Sequence, residues 1–112
     1  MSPTQPTAEE LFEPLAVELL GEPRISKAKM FGGVALKTDN KVFACLFKGK
    51  LVVKLSKDRC EELIRSGTAE PFDPGMGRVM REWVAIDPRA EPEWRDLTQE
   101  ARGFVRELNS YL

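Results

Sequence analysis

The chemistry open to this chain is narrow, because key side chains are missing and the rest are poorly spaced for catalysis. There is no histidine, which removes imidazole triads, imidazole metal ligands and imidazole proton shuttles. Two cysteines, Cys45 and Cys60, stand far apart in the sequence and cannot build a cysteine-rich zinc site. Both fall on apolar stripes, where reduced, inert core thiols belong. Glu9-Glu10 and Glu61-Glu62 are adjacent pairs on expected helices. Helical neighbours diverge by about 100°, so neither pair aims two carboxylates at one point. Gly32-Gly33 and Gly75-Met76-Gly77 lack the GxxxxGK[ST] spacing of a phosphate loop. Arg78, Arg81 and Glu82 read as a structural ion network. The residues therefore predict a protein that is not an enzyme, with no cofactor and no metal.

One feature stands out electrostatically. Between residues 27 and 57 lie eight lysines and a single acid, Asp39. That is a local excess of seven positive charges in a chain whose net charge is −1. Lys48, Lys50 and Lys54 are the centre of this candidate basic patch. One function fits it: contact with phosphates of a nucleic acid or small ligand. A plain structural role fits it too, since lysines on exposed strands block strand-to-strand aggregation. Lysine outnumbers arginine here, and arginine is the usual bidentate base reader.

These residues are held by a chain of 112, with 42% hydrophobic and 31% charged residues, the profile of a soluble globular domain. No apolar run is long enough to span a bilayer, and the N-terminus lacks the pattern of a signal peptide. The cytoplasm is the expected compartment and no membrane contact is expected. Residues 1–6, with two prolines, read as a flexible tail, and 7–112 as one domain. Thr7 to Glu10 is a capping box that opens an amphipathic helix through Leu11, Leu15 and Leu19, with Pro14 as a kink or late start. Strands follow at 24–31, 34–37, 42–47 and 51–55, with Gly32-Gly33 marking a bend and tight turns at 38–41 and 48–50. Ser56 caps a second helix over 57–65. Residues 68–77 read as an ordered loop pinned by Phe72 and Met76. A last strand is expected at 78–86. Asp87-Pro88 starts a final helix carrying Trp94, Leu97, Ala101, Phe104, Val105, Leu108 and Leu112. This order predicts a two-layer α+β domain, a central antiparallel sheet of about five strands with helices mainly on one face.

Strand alternation locates a second candidate surface. Val42, Ala44 and Leu46 fall on one face of their strand, and Phe43, Cys45 and Phe47 on the other, so both faces are apolar. Trp83 adds to the same side. Phe43, Phe47 and Trp83 then form a candidate interaction face. A curl of the sheet satisfies the pattern, and so do three coverings: the 68–77 loop, a homodimer partner, or a small molecule in a groove. The dimer version predicts that Phe43→Glu breaks the oligomer and leaves the fold intact.

Four segments in this order resemble the TfoX N-terminal domain family. They are KMFGGVAL at 29–36, VFACLFKGKLVVKL at 42–55, GTAEPF at 67–72, and Trp83-Val84-Ala85-Ile86. The similarity runs from the first helix onward. It implies a two-layer α+β fold around an antiparallel sheet, and membership of a bacterial group named for regulators of competence for DNA uptake. Those regulators carry a second, helical domain after this one; the chain ends after its third expected helix, so a single-domain form is expected. The resemblance carries over no catalytic residue. Lys29, Met30, Phe31, Gly32 and Gly33 read as a structural motif, and Trp83 stands where the family leads one to expect tyrosine. The expected function is a regulatory module acting through contacts with an as yet unidentified protein or a second copy. The alternative is nucleic-acid or phosphate binding by the lysines.

Overall fold

The computed structural model describes residues 7–30, 33–75 and 77–110. The expected tail at 1–6, together with Phe31, Gly32, Met76 and Leu112, lies outside the described residues. Helix α1 (Ala8–Leu20) opens on the capping box read from the sequence. The Glu10 amide donates to the Thr7 hydroxyl at 3.1 Å, and the Thr7 amide donates to the Glu10 carboxylate. The helix continues through exposed Pro14.

Four strands then form a meander: β1 (Ile25–Met30), β2 (Gly33–Thr38), β3 (Lys41–Phe47) and β4 (Lys50–Lys54). The last two hairpins turn on Asp39-Asn40 and Lys48-Gly49, and all four residues have positive φ. Two-residue loops of that hand match the right-handed twist of the strands they join. Asp39 is anchored as well: Arg24 Nε donates to its carboxylate at 2.6 Å, and its amide donates to the Arg24 carbonyl at 3.1 Å.

Helix α2 (Lys57–Arg65), capped by Ser56, leads to a two-residue strand β5 (Glu70–Pro71), then β6 (Trp83–Ile86), a 3-10 turn at Pro88–Glu93 and helix α3 (Trp94–Ser110). The sheet has six antiparallel strands in the order β1-β2-β3-β4-β6-β5. The sixth, β5, sits inside what the sequence presents as a loop. The strand expected at 78–86 shrinks to 83–86. Its first half is consumed by turns: the Met80 amide bonds the Phe72 carbonyl at 2.8 Å, and the Trp83 amide bonds the Met80 carbonyl at 3.1 Å.

All three helices lie on one side. Phe12, Leu19, Cys60, Leu63, Trp94, Leu97 and Val105 share the main core with Leu36, Leu51, Val53, Val84 and Ile86 of the sheet. Trp94 is the largest fully buried side chain, and its indole donates to the Asp87 carbonyl at 3.2 Å. The expected α+β layering, with helices on one face, is what the chain adopts.

One strand breaks the sequence rule of two. Leu36 pairs with Ala44, but Lys37 pairs with Val42, so Phe43 is an extra residue in β3. This is a β-bulge, and it resets which way each side chain points. Phe43 and Ala44 both enter the main core, while Val42, Cys45 and Phe47 face the other side. Phe43 therefore does not belong to the candidate interaction face; it is 0% exposed beneath the helices. Phe43→Ala should cost about 3–5 kcal/mol, as for large aromatic truncations in a packed core, measured by urea denaturation. Phe43→Glu should fail to fold rather than give a folded monomer.

Candidate interaction face

The side of the sheet opposite the helices has its own small cluster. Ala35, Cys45, Val52 and Ala85 lie in one row across four strands, as the pairs Ala35–Cys45, Cys45–Val52 and Val52–Ala85 show. They are buried, along with Phe72. Around them stand Ala28, Met30, Val42, Phe47 and Trp83, each only partly covered. Small residues form the floor and larger ones the walls, an arrangement that burial of the small residues requires. Phe72 reaches in from the segment after β5 and meets Phe47 edge to face, with ring centroids 5.4 Å apart and planes at 77°. Such aromatic geometry is favoured by the ring quadrupoles. One of the three coverings read from the sequence, the loop, is thus in place over part of this face. The remainder is open.

Of the three residues expected here, Phe47 and Trp83 are present and Phe43 is not. Val42 takes its place because of the bulge. No local sequence signal marks that bulge; Val42 and Phe43 are both acceptable on either side of a buried strand. Met30 arrives from the KMFGG motif, in which Lys29, one residue earlier, points to the helix side. Gly33 sits so close to β3 that a Cβ there would meet the Leu46 carbonyl oxygen at 3.0 Å.

The lysines border this face, but they are engaged. Lys50 is ion-paired with Glu70, and Lys54 lies 4.0 Å from Glu82. The Lys54 ammonium stands 5.3 Å from the centroid of Trp83, and the Lys48 ammonium 5.3 Å from that of Phe47. These are cation–π distances. The rings that would stack on bases are each already topped by a lysine from this same set.

Both cysteines are free and buried. Burial pushes the Cys45 thiol up to about 12 and the Cys60 thiol up to about 11. No cluster of three or more metal-ligating side chains occurs among the described residues, and no helix among them is long and apolar enough to cross a membrane.

The TfoX N-terminal domain model matches residues 17–106 of this 112-residue chain. The chain belongs to the TfoX N-terminal domain family. No curated protein and no solved structure matches it. Membership makes this a competence-regulator-like N-terminal domain, and the match takes in the bulged strand, the open face and the KMFGG motif of the TfoX-type fold.

Two outcomes follow for this TfoX-type domain. Neither thiol should react with a disulfide reagent at pH 8 in the folded protein, because thiolate is the attacking species and both groups are held protonated; both should react in denaturant. Gly33→Ala should destabilise by about 1–3 kcal/mol, the usual cost of forcing an atom into packed structure, read from denaturation midpoints.

Proposed function

We propose that this domain is a non-enzymatic regulatory module that works through protein contacts on the open face of its sheet, around Phe47 and Trp83. The simplest partner is a second copy of the chain. One observation carries the reading: three helices cover one side of the sheet, while the other keeps Met30, Val42, Phe47 and Trp83 partly exposed around a buried floor. A contiguous apolar patch rimmed by charge is the usual mark of an interaction surface. The residue chemistry supports the non-enzymatic part, with no histidine in the sequence and both thiols raised by burial. The phosphate-binding alternative is weaker, because Lys50 and Lys54 already have carboxylate partners and Lys48 and Lys54 sit on aromatic rings.

Sedimentation equilibrium separates these readings. The wild type should dimerise at micromolar concentration and ignore a short DNA duplex. Phe47→Glu and Trp83→Glu should be monomeric, with circular dichroism like that of the wild type. A wild type that stays monomeric at high micromolar concentration sinks self-association. DNA binding that collapses with salt and with Lys48→Glu, Lys50→Glu and Lys54→Glu together would put the phosphate reading in its place.

A further inference from the structure

The sheet has two edges of different make. At one, β5 is only two residues long and contains Pro71, which has no amide to donate; such an edge resists pairing. At the other, β1 has six residues, no proline and, among the described residues, a single strand neighbour, β2.

The two faces of that edge strand differ. Ala28 and Met30 point to the open face, so Lys27 and Lys29 point to the helix side. There they form the rim of a groove of about 600 Å3 that lies between α1 and the helix-side face of β1, β2 and β3, with Val34 and Leu46 as its floor. Both lysines are exposed, so side chains of an added strand can reach them on that side. Val17 of α1 borders it, 66% exposed. Lys27 and Lys29 make no ion pair among the described residues.

These lysines select the occupant. If β1 paired with β1 of a second copy about a two-fold axis, every register centred on residue 27, 28 or 29 would set a lysine directly opposite a lysine. Like charges so placed are destabilising. Nucleic acid is a poor fit as well, because a phosphate backbone gains little from free strand amides; the occupant's carboxylates lie on the Lys27 and Lys29 rim, across the groove from Glu9 and Glu13. A strand with carboxylates on the helix side and apolar side chains on the open side satisfies both faces of β1. Its acids meet Lys27 and Lys29, and its apolar residues extend the cluster at Ala28 and Met30.

We propose that the β1 edge docks an extended segment of a partner protein, acidic on alternate residues and apolar between them, as a seventh strand of the sheet. Backbone bonds supply affinity and the alternate side chains supply selectivity, as in other strand-addition complexes. This site adjoins the open-face patch at Phe47, which lines the groove as well, and is separate from Trp83.

The test uses a fluorescein-labelled synthetic peptide alternating glutamate and valine, read by fluorescence anisotropy against the full chain. The expected result is binding that weakens at least about tenfold in the Lys27→Glu, Lys29→Glu double variant. The same loss is expected for a peptide N-methylated on alternate amides, which keeps its charge and cannot pair. Hydrogen exchange should slow at the β1 amides on addition of the unmodified peptide. Binding should persist in Trp83→Glu, whatever that variant does to self-association. The proposal is overturned by no binding, by binding indifferent to N-methylation or to reversal of Lys27 and Lys29, or by unchanged exchange in β1. Sedimentation of the unliganded chain gives a further check: a dimer abolished by Lys27→Glu would mean that the edge is filled by a second copy, and it too would overturn the proposal.

Discussion

The extra residue at Phe43 is the constraint on which the rest of the sheet depends. A strand alternates strictly, so a single inserted position exchanges the faces of everything on one side of it. With the bulge, β3 sends Phe43, Ala44 and Leu46 to the helices and keeps Val42, Cys45 and Phe47 for the other side. Without it, Phe43 would stand beside Cys45 and Phe47 on the open face, and the main core would lose its largest contribution from β3. The helices could then not close over the sheet at full packing density. The bulge lies in a strand paired on both sides, so its cost is met by that burial.

The helices are also joined to one another electrostatically. Lysines gather on the sheet and glutamates on α1 and α2, and the contacts between helices are bridged by arginine. Arg95 of α3 pairs with Glu18 of α1. Arg102 donates to Glu22 at 2.7 Å, and Arg59 of α2 donates to Glu100 of α3 at 2.8 Å. Arg106 reaches the sheet itself, donating to the buried Thr38 hydroxyl at 3.2 Å and 3.1 Å. Most of these pairs are exposed and each contributes little alone. Their placement, with each arginine bridging separate elements, fixes the docking angle of helices whose apolar contacts are not directional.

What the sequence disclosed, and what it hid, divides along physical lines. Local rules were readable: the Thr7 capping box, the Asp39-Asn40 and Lys48-Gly49 turns, the Ser56 cap and the stripe of α3 all depend on residues within a few positions of one another. The layering was readable for the same reason, as a sum of periodicities. The bulge was not, because Val42 and Phe43 are equally apolar and only pairing with β2 decides between them. The strand β5 was hidden because two residues carry no period. The run 78–82 looked like a strand because Val79 and Met80 are apolar, yet the Met80 amide bonds the Phe72 carbonyl and Arg81-Glu82 form a turn into β6. The open face was legible only in part: alternation puts Phe47 and Trp83 on it, and the bulge moves Phe43 to the core. The lysine patch was legible as charge, whereas its pairing with Glu70 and Glu82 requires the β4–β6–β5 order.

The family motif gains a physical meaning from its position. Lys29 lines the groove on the helix side, and Met30, next to it, packs on the open face. Gly33 lets β2 approach the Leu46 carbonyl. Phe47 belongs to both regions, contributing to the groove and to the open-face cluster, and Lys48 covers its ring. The motif therefore sits at the corner where the two open surfaces of the domain meet. A side chain larger than glycine at residue 33 would push β2 away from β3 at that corner and shift Lys29, Met30 and Phe47 together. The close approach of Gly33 to β3 thus bears on an edge and on a face at once, and a substitution that spares the core can still alter both.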